Sequence, residues 1–136
     1  MLIESTARNH NKLADKLNGF FMQVAWMKND LPGFILGDVP IVHVDVRTGR
    51  YGFRDNLAIG DANMIVGPLS RRIAVFLSAA PLRHAELRTR RLVDTVNAVF
   101  WRAASAEVIC HPEDSLAASQ LWRKLDRLPP KMLHQE

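Results

Sequence analysis

Ile41-Val-His-Val-Asp-Val46, followed by Arg47-Thr-Gly-Arg50 and Tyr51-Gly-Phe53, decides the fold class. The first run is rich in β-branched residues and alternates: Val42, Val44 and Val46 share one side, Ile41, His43 and Asp45 the other. That is the period of a strand with its valines toward a core, and it predicts that His43 and Asp45 face outward. Arg47–Arg50 reads as a hairpin turn, with Gly49 and Gly52 weakening the return strand. Outward from this hairpin, Phe34-Ile-Leu36, Met64-Ile-Val66 and Arg72-Ile-Ala-Val-Phe-Leu77 read as further short strands. Gly37-Asp-Val-Pro40 and Gly67-Pro-Leu-Ser70 punctuate them.

Helical periodicity flanks this β-rich middle. Leu13, Leu17, Phe20, Val24 and Met27 recur every three or four residues, which predicts a helix over Thr6–Lys28, widened by Phe21 and stopped by Asn29-Asp-Leu-Pro-Gly33. A second long helix is expected from Leu82 to Ala104, with Leu92, Val96, Val99 and Ala103 as its stripe and Val93 and Phe100 beside it. A strand at Glu107–Cys110 follows. A short helix then opens at Pro112, with Glu113 and Asp114 complementing its dipole. It buries Ala117, Leu121, Leu125 and Leu128 and ends at Pro129-Pro130. The expected class is α+β: a small antiparallel sheet packed with an N-terminal helix, a second long helix and a short C-terminal helix. No repeat, low-complexity tract or linker divides the chain. Residues 1–136 read as one domain, with 1–30 as the N-terminal helix, 33–128 as the body and 129–136 as a tail.

Composition narrows the class further. The chain has 136 residues, 48% of them hydrophobic and 24% charged, which excludes disorder, collagen and a disulfide scaffold. Such a domain buries about two thirds of its unfolded surface. The single cysteine, Cys110, excludes an internal disulfide and a cysteine-built zinc site. No run approaches the roughly 18 apolar residues of a membrane span, so no membrane partner is expected. MLIESTARNHNK lacks a basic-then-apolar signal pattern, which makes the cytoplasm the expected compartment.

The net charge of +4 is concentrated. Arg71, Arg72, Arg83, Arg88, Arg90, Arg91 and Arg102 face only Glu86 and Asp94 between residues 71 and 102, while the flanking regions nearly balance. Arginine favours bidentate recognition of carboxylates and phosphates, so this stretch reads either as a docking surface for an acidic protein or nucleic acid, or as a solvated helix face with local ion pairs. The helices also carry surplus apolar faces. At about 100° per residue, Met22 and Trp26 fall opposite the first helical stripe. Trp101 falls opposite Leu92 and Val99, among Arg90, Asp94 and Asn97. Either other elements cover these helices on both sides, or Met22, Trp26 and Trp101 form an interface with the arginines.

Catalytic motifs are few. His43 and Asp45 share a strand face but lack an evident third ligand. Asp38 before Pro40 reads as a turn former whose carboxylate bonds the backbone. Cys110-His111 sets a thiol beside an imidazole, yet Cys110 ends an apolar strand and reads as a structural thiol. No phosphate-binding loop, nucleophile elbow or metalloprotease helix motif is present. Accordingly, no catalytic residue, metal or cofactor is assigned.

From Phe34 onward the order of motifs resembles the domain of unknown function 4238 family. Gly37-Asp-Val-Pro-Ile41 is similar to that family's Ser-Asp-Asn-Pro-Val-like turn, with Gly37 and Val39 departing from it. Gly67-Pro-Leu-Ser70 feeding Ile73–Leu77 is similar to its Pro-Leu-Ser turn and strand. Val93–Asn97 and Glu107–Ile109 are similar to its helix and following strand. Of the family's opening Asn-His-Tyr-Val-Pro-like segment, only Asn9-His10 has a counterpart. The resemblance implies the C-terminal part of such a domain standing alone, with helix faces left in need of a partner, and implies no activity.

The expected function is a non-enzymatic interaction or inhibitor-type protein, such as a phage or mobile element encodes. It would bind itself as a homodimer, or an acidic protein, through Met22, Trp26, Arg83, Arg88, Arg90, Arg91, Trp101 and Arg102. The alternative is a nucleic-acid-binding protein or metal-dependent nuclease, with Asp38, His43 and Asp45 as the metal-facing cluster.

Overall fold

The computed structural model of the protein describes residues 12–83 and 85–125. The expected helix start at Thr6, Asn9-His10, Leu128, Pro129-Pro130 and the tail 129–136 lie outside them. Residues 12–18 are helical (α1), and the helix stops at Gly19, whose N–H donates to the Lys16 carbonyl at 3.2 Å. Phe21–Met27 is then a strand, β1, which corrects the helix expected to run on to Lys28. Val24 and Met27 had fitted the helical stripe by their spacing of three. In the strand, Met22, Val24 and Trp26 share one face, and Gln23, Ala25 and Met27 share the other. The apolar face that was surplus on a helix is thus one side of a strand. Glycine at position 19 disfavours helix by about 1 kcal/mol, and the sheet slot beyond it decides the rest.

The further strands are Leu36–Gly37 (β2), Val42–Asp45 (β3), Arg50–Tyr51 (β4), Met64–Pro68 (β5), Ile73–Ser78 (β6), Glu86–Leu87 (β7) and Val108–Ile109 (β8). Five of these join β1 in a six-stranded sheet of order β4-β3-β5-β6-β1-β7, while β2 and β8 make a separate two-stranded sheet. All pairs are antiparallel except β1 with β7. The hairpin turn at Arg47–Arg50 forms as expected, with Gly49 at φ 70°. The Phe34–Leu36 run contributes only Leu36 to a strand.

The long helix, α2, spans Arg90–Ala103 and so begins later than Leu82. Thr89 sets the start, its hydroxyl accepting the Leu92 N–H at 3.2 Å. Residues between Leu82 and Thr89 instead supply β7, which lies beside β1. Leu92, Val93, Val96, Val99, Phe100 and Ala103 pack with Ala25, Met27, Val42, Val44, Met64, Val66, Ala74 and Phe76 into one core. A 3₁₀ turn, Pro112–Asp114, precedes the short helix α3, Ser115–Lys124. α3 sets Leu121 against Ala98 on α2, joined by Leu125; Ala117 is only half-buried. The protein is therefore α+β, with a small, mostly antiparallel sheet against helices.

The segment 33–35 is held from three sides. Asn97, buried on α2, accepts the Ile35 N–H and donates to the Gly33 carbonyl, both at 3.0 Å. The Phe34 N–H donates to the Arg71 carbonyl at 2.8 Å, and the Phe34 ring meets Phe100 edge-on at 6.1 Å. The Arg71 guanidinium in turn grips Asp114 with two bonds of 2.8 Å. A Cβ on Gly33 would lie 2.2 Å from the Arg71 side chain and 2.8 Å from the Asp114 carboxylate, so only glycine fits there.

Two outcomes test these ties. Asn97→Ala leaves a buried N–H and a buried carbonyl without partners and should lower the unfolding free energy by about 2 kcal/mol or more, read by urea denaturation. The Arg71 guanidinium holds the Asp114 carboxyl below the usual carboxylate range, against the opposing effect of burial. A lowered carboxyl pKa stabilises the fold above the unfolded value and is lost as pH falls through the folded one. Asp114→Asn should therefore destabilise the protein at pH 7, and its deficit against the wild type should shrink as pH drops below about 4. A deficit that stays constant down to strongly acidic pH would contradict the pairing.

Candidate functional site

The two faces of the main sheet differ. α2 covers the face built from Ala25, Val42, Val44, Met64, Val66, Ala74 and Phe76. On the other face the register aligns Met22 with Leu77, Val24 with Val75, and Trp26 with Ile73. Leu77 continues to Ile65 and then His43, across β5 and β3. This outer face is apolar across β1, β6 and β5. Met22 is 72% exposed, Val24 47%, Trp26 44% and Ile73 39%.

The other end of the same face is closed. His43 and Asp45 point outward from β3, as the alternation requires, yet both are buried, which corrects the expectation that they meet solvent. His43 Nε2 lies 2.7 Å from the Leu57 carbonyl, in the stretch that returns from β4 to β5 through 3₁₀ turns at Phe53–Asp55 and Ile59–Asp61. Lys16 of α1 reaches the Gly60 carbonyl in that stretch. Asp45 accepts the Arg47 N–H and an Asn63 side-chain N–H, both at 3.1 Å. Burial opposes its ionisation, but hydrogen bonds from Thr48 and Arg47 outweigh this and keep its carboxyl below the usual range. Each of these two residues fixes a turn. Asp38 also bonds backbone, but that of distant residues: its carboxylate accepts the Ser105 and Ala106 N–H groups at 2.8 Å each, the Ser105 bond lowering its pKa most.

The eight residues singled out for partner binding do not form one surface. Met22 and Trp26 lie on the outer sheet face, whereas Arg90, Arg91, Trp101 and Arg102 belong to α2 on the opposite side. Arg90 bonds Asp94 at 3.2 Å and the Gln120 side chain at 3.0 Å, joining α2 to α3. Arg102 donates to the Leu125 carbonyl and lies 5.9 Å over the Tyr51 ring. Arg72 gathers the carbonyls of Lys28, Asn29 and Leu31, closing the loop after β1. Arg83, Arg88 and Arg91 are exposed, with Arg88 paired to Glu86 at 2.9 Å. Trp101 is half-buried under α3, its ring stacked on Trp122 at 5.2 Å.

The structure adds Val24, Ile73, Val75 and Leu77 to Met22 and Trp26. Their signal was present as alternation within Phe21–Met27 and within Arg72–Leu77, hidden in the first case by a competing helical spacing.

Among the described residues no three His, Cys, Asp or Glu side chains come together in an arrangement that could hold a metal ion. No helix among them is long and apolar enough to cross a membrane. No protein-family model, curated protein or solved structure matches the chain.

Cys110 is half-buried, and burial, reinforced by the Asp114 charge, pushes its thiol pKa up. A thiol held protonated is a poor nucleophile. Iodoacetamide should therefore alkylate Cys110 slowly at pH 7 and faster as the pH rises through the thiolate range, followed by mass spectrometry. Rapid alkylation at neutral pH would contradict this assignment.

Proposed function

We propose that the protein is a non-enzymatic interaction module that pairs with a second copy of itself through the outer face of the sheet. The observation that carries this reading is the unbroken apolar array of Met22, Val24, Trp26, Ile73, Val75 and Leu77 on two adjacent strands, with four of these side chains substantially exposed. Exposed apolar patches of this kind mark interaction sites, and buried apolar area contributes roughly 25 cal/mol per Å². A twofold axis brings the same patch against itself. The faces pack as a sandwich about 10 Å thick. The six residues are uncharged, and Glu86, which the register sets beside Trp26, is paired with Arg88 at 2.9 Å, so self-pairing meets little like-charge repulsion despite the net +4. An acidic partner would need unpaired cations across this face, whereas Arg88 beside it is already paired with Glu86.

A cytoplasmic setting suits a chain with one free thiol. Arg71, Arg72, Arg90 and Arg102 bond protein carbonyls and carboxylates, which leaves the nucleic-acid alternative fewer exposed cations than the sequence suggests.

The test places charges on the face. Met22→Lys with Val24→Lys should weaken self-association by about 2 kcal/mol or more, read by sedimentation velocity, with the far-UV circular dichroism unchanged. Trp26→Ser should act in the same direction, and Arg83→Glu should leave the mass unaltered. Substituted proteins that stay folded and sediment like the wild type would overturn the reading.

A further inference from the structure

The two stacked tryptophans wall a cleft of about 800 Å³ on the α2 and α3 side, away from the outer sheet face. That volume lies within the range of small-molecule sites. Its chemistry is mixed in a specific way. Trp101 and Trp122 form one wall, with interplanar angle 28°, and Trp122 remains 60% exposed, so a further flat ring can join the stack. Arg54 and Arg123 line the same cleft, as do Ser105 and Glu107.

The site is organised before any ligand arrives. Asp38 clamps the floor by accepting the Ser105 and Ala106 N–H groups, which rigidifies the connection leaving α2. Arg54 Nη1 donates to the Arg102 carbonyl at 2.9 Å, at the C-terminal end of α2. A guanidinium there offsets the negative end of the helix dipole, which would otherwise repel an anion. Alanines at 103, 104 and 106 leave the walls shallow and the backbone approachable.

Three chemistries line the one cleft: an aromatic stacking platform, two guanidinium groups suited to an oxyanion, and a carboxylate and a hydroxyl suited to accepting bonds from sugar hydroxyls. Base stacking on an aromatic side chain and charge-assisted phosphate binding by arginine are each strong enough to matter at such a site. A flat hydrophobic acid would use the first two and offer Glu107 no hydrogen-bond donor. A ribonucleotide uses all three. We propose that the cleft binds a nucleoside monophosphate, with its base against Trp122, its phosphate at Arg123 and Arg54, and its ribose hydroxyls at Glu107. This site is separate from the sheet face, and its occupancy does not depend on self-association.

The experiment titrates the full chain with AMP, GMP, CMP and UMP in turn, read by isothermal titration calorimetry and by tryptophan emission. At least one nucleotide should bind saturably and quench the emission. Trp122→Ala and Arg123→Glu should each weaken that binding at least tenfold while leaving the circular dichroism spectrum unchanged. The matching nucleoside and inorganic phosphate, each alone, should bind more weakly than the nucleotide. No saturable binding of any of the four at millimolar concentration would overturn the proposal. So would equal affinity in the folded variants, or a nucleoside that binds as tightly as its nucleotide.

Discussion

Asn97 joins the helical layer to the chain that threads beneath it. Its side-chain amide takes the Ile35 N–H and gives to the Gly33 carbonyl, replacing the ladder bonds that segment 33–35 would make in a sheet. A buried backbone group without a partner is costly, so this stretch can pass under α2 only where an amide side chain completes it. Gly33 then admits the Arg71–Asp114 pair into the same corner, which fixes the start of α3 relative to β6. With these ties made, α2 has one position, over one face of the six-stranded sheet.

That placement explains the distribution of charge and of apolar surface. One helix of 14 residues covers the inner face, and the turns after β4 cover the His43 end of the outer face. The β1 and β6 part of the outer face keeps Met22, Val24, Trp26 and Ile73 exposed. Four of the seven arginines between residues 71 and 102 act as braces: Arg71 to Asp114, Arg72 to the loop after β1, Arg90 to α3 and Arg102 to Leu125. A guanidinium satisfies several carbonyls at once, which suits a small domain with long irregular connections. Arg83, Arg88 and Arg91 stay on the surface, and the continuous patch offered for association is the apolar one.

Much of this was legible in the sequence where one period dominated. Val42, Val44 and Met64–Val66 alternate without competition, and Leu92 to Ala103 keeps a clean helical stripe. Phe21–Met27 was ambiguous because Phe20, Val24 and Met27 fit the helical spacing while Met22, Val24 and Trp26 fit the alternation of a strand. The surplus face of Met22 and Trp26 was the residual signal that the helical reading was strained. His43 and Asp45 alternate correctly, and their burial follows from turns that return over them from outside the strand. No local pattern announces the Trp101–Trp122 stack, because it depends on how α3 lies across α2. Asp38 showed its backbone-bonding chemistry, while its partners at Ser105 and Ala106 are distant in sequence and are set by the tertiary fold.

The central claim is that the open half of the outer sheet face is buried against a second copy of the chain. Multi-angle light scattering of the wild-type protein over a wide concentration range, at low and at high salt, addresses it most directly. The account predicts a species of twice the chain mass of 15.4 kDa, at least as stable in high salt because burial of an uncharged face is not screened. A monomer at every concentration, or an assembly that high salt takes apart, would contradict it.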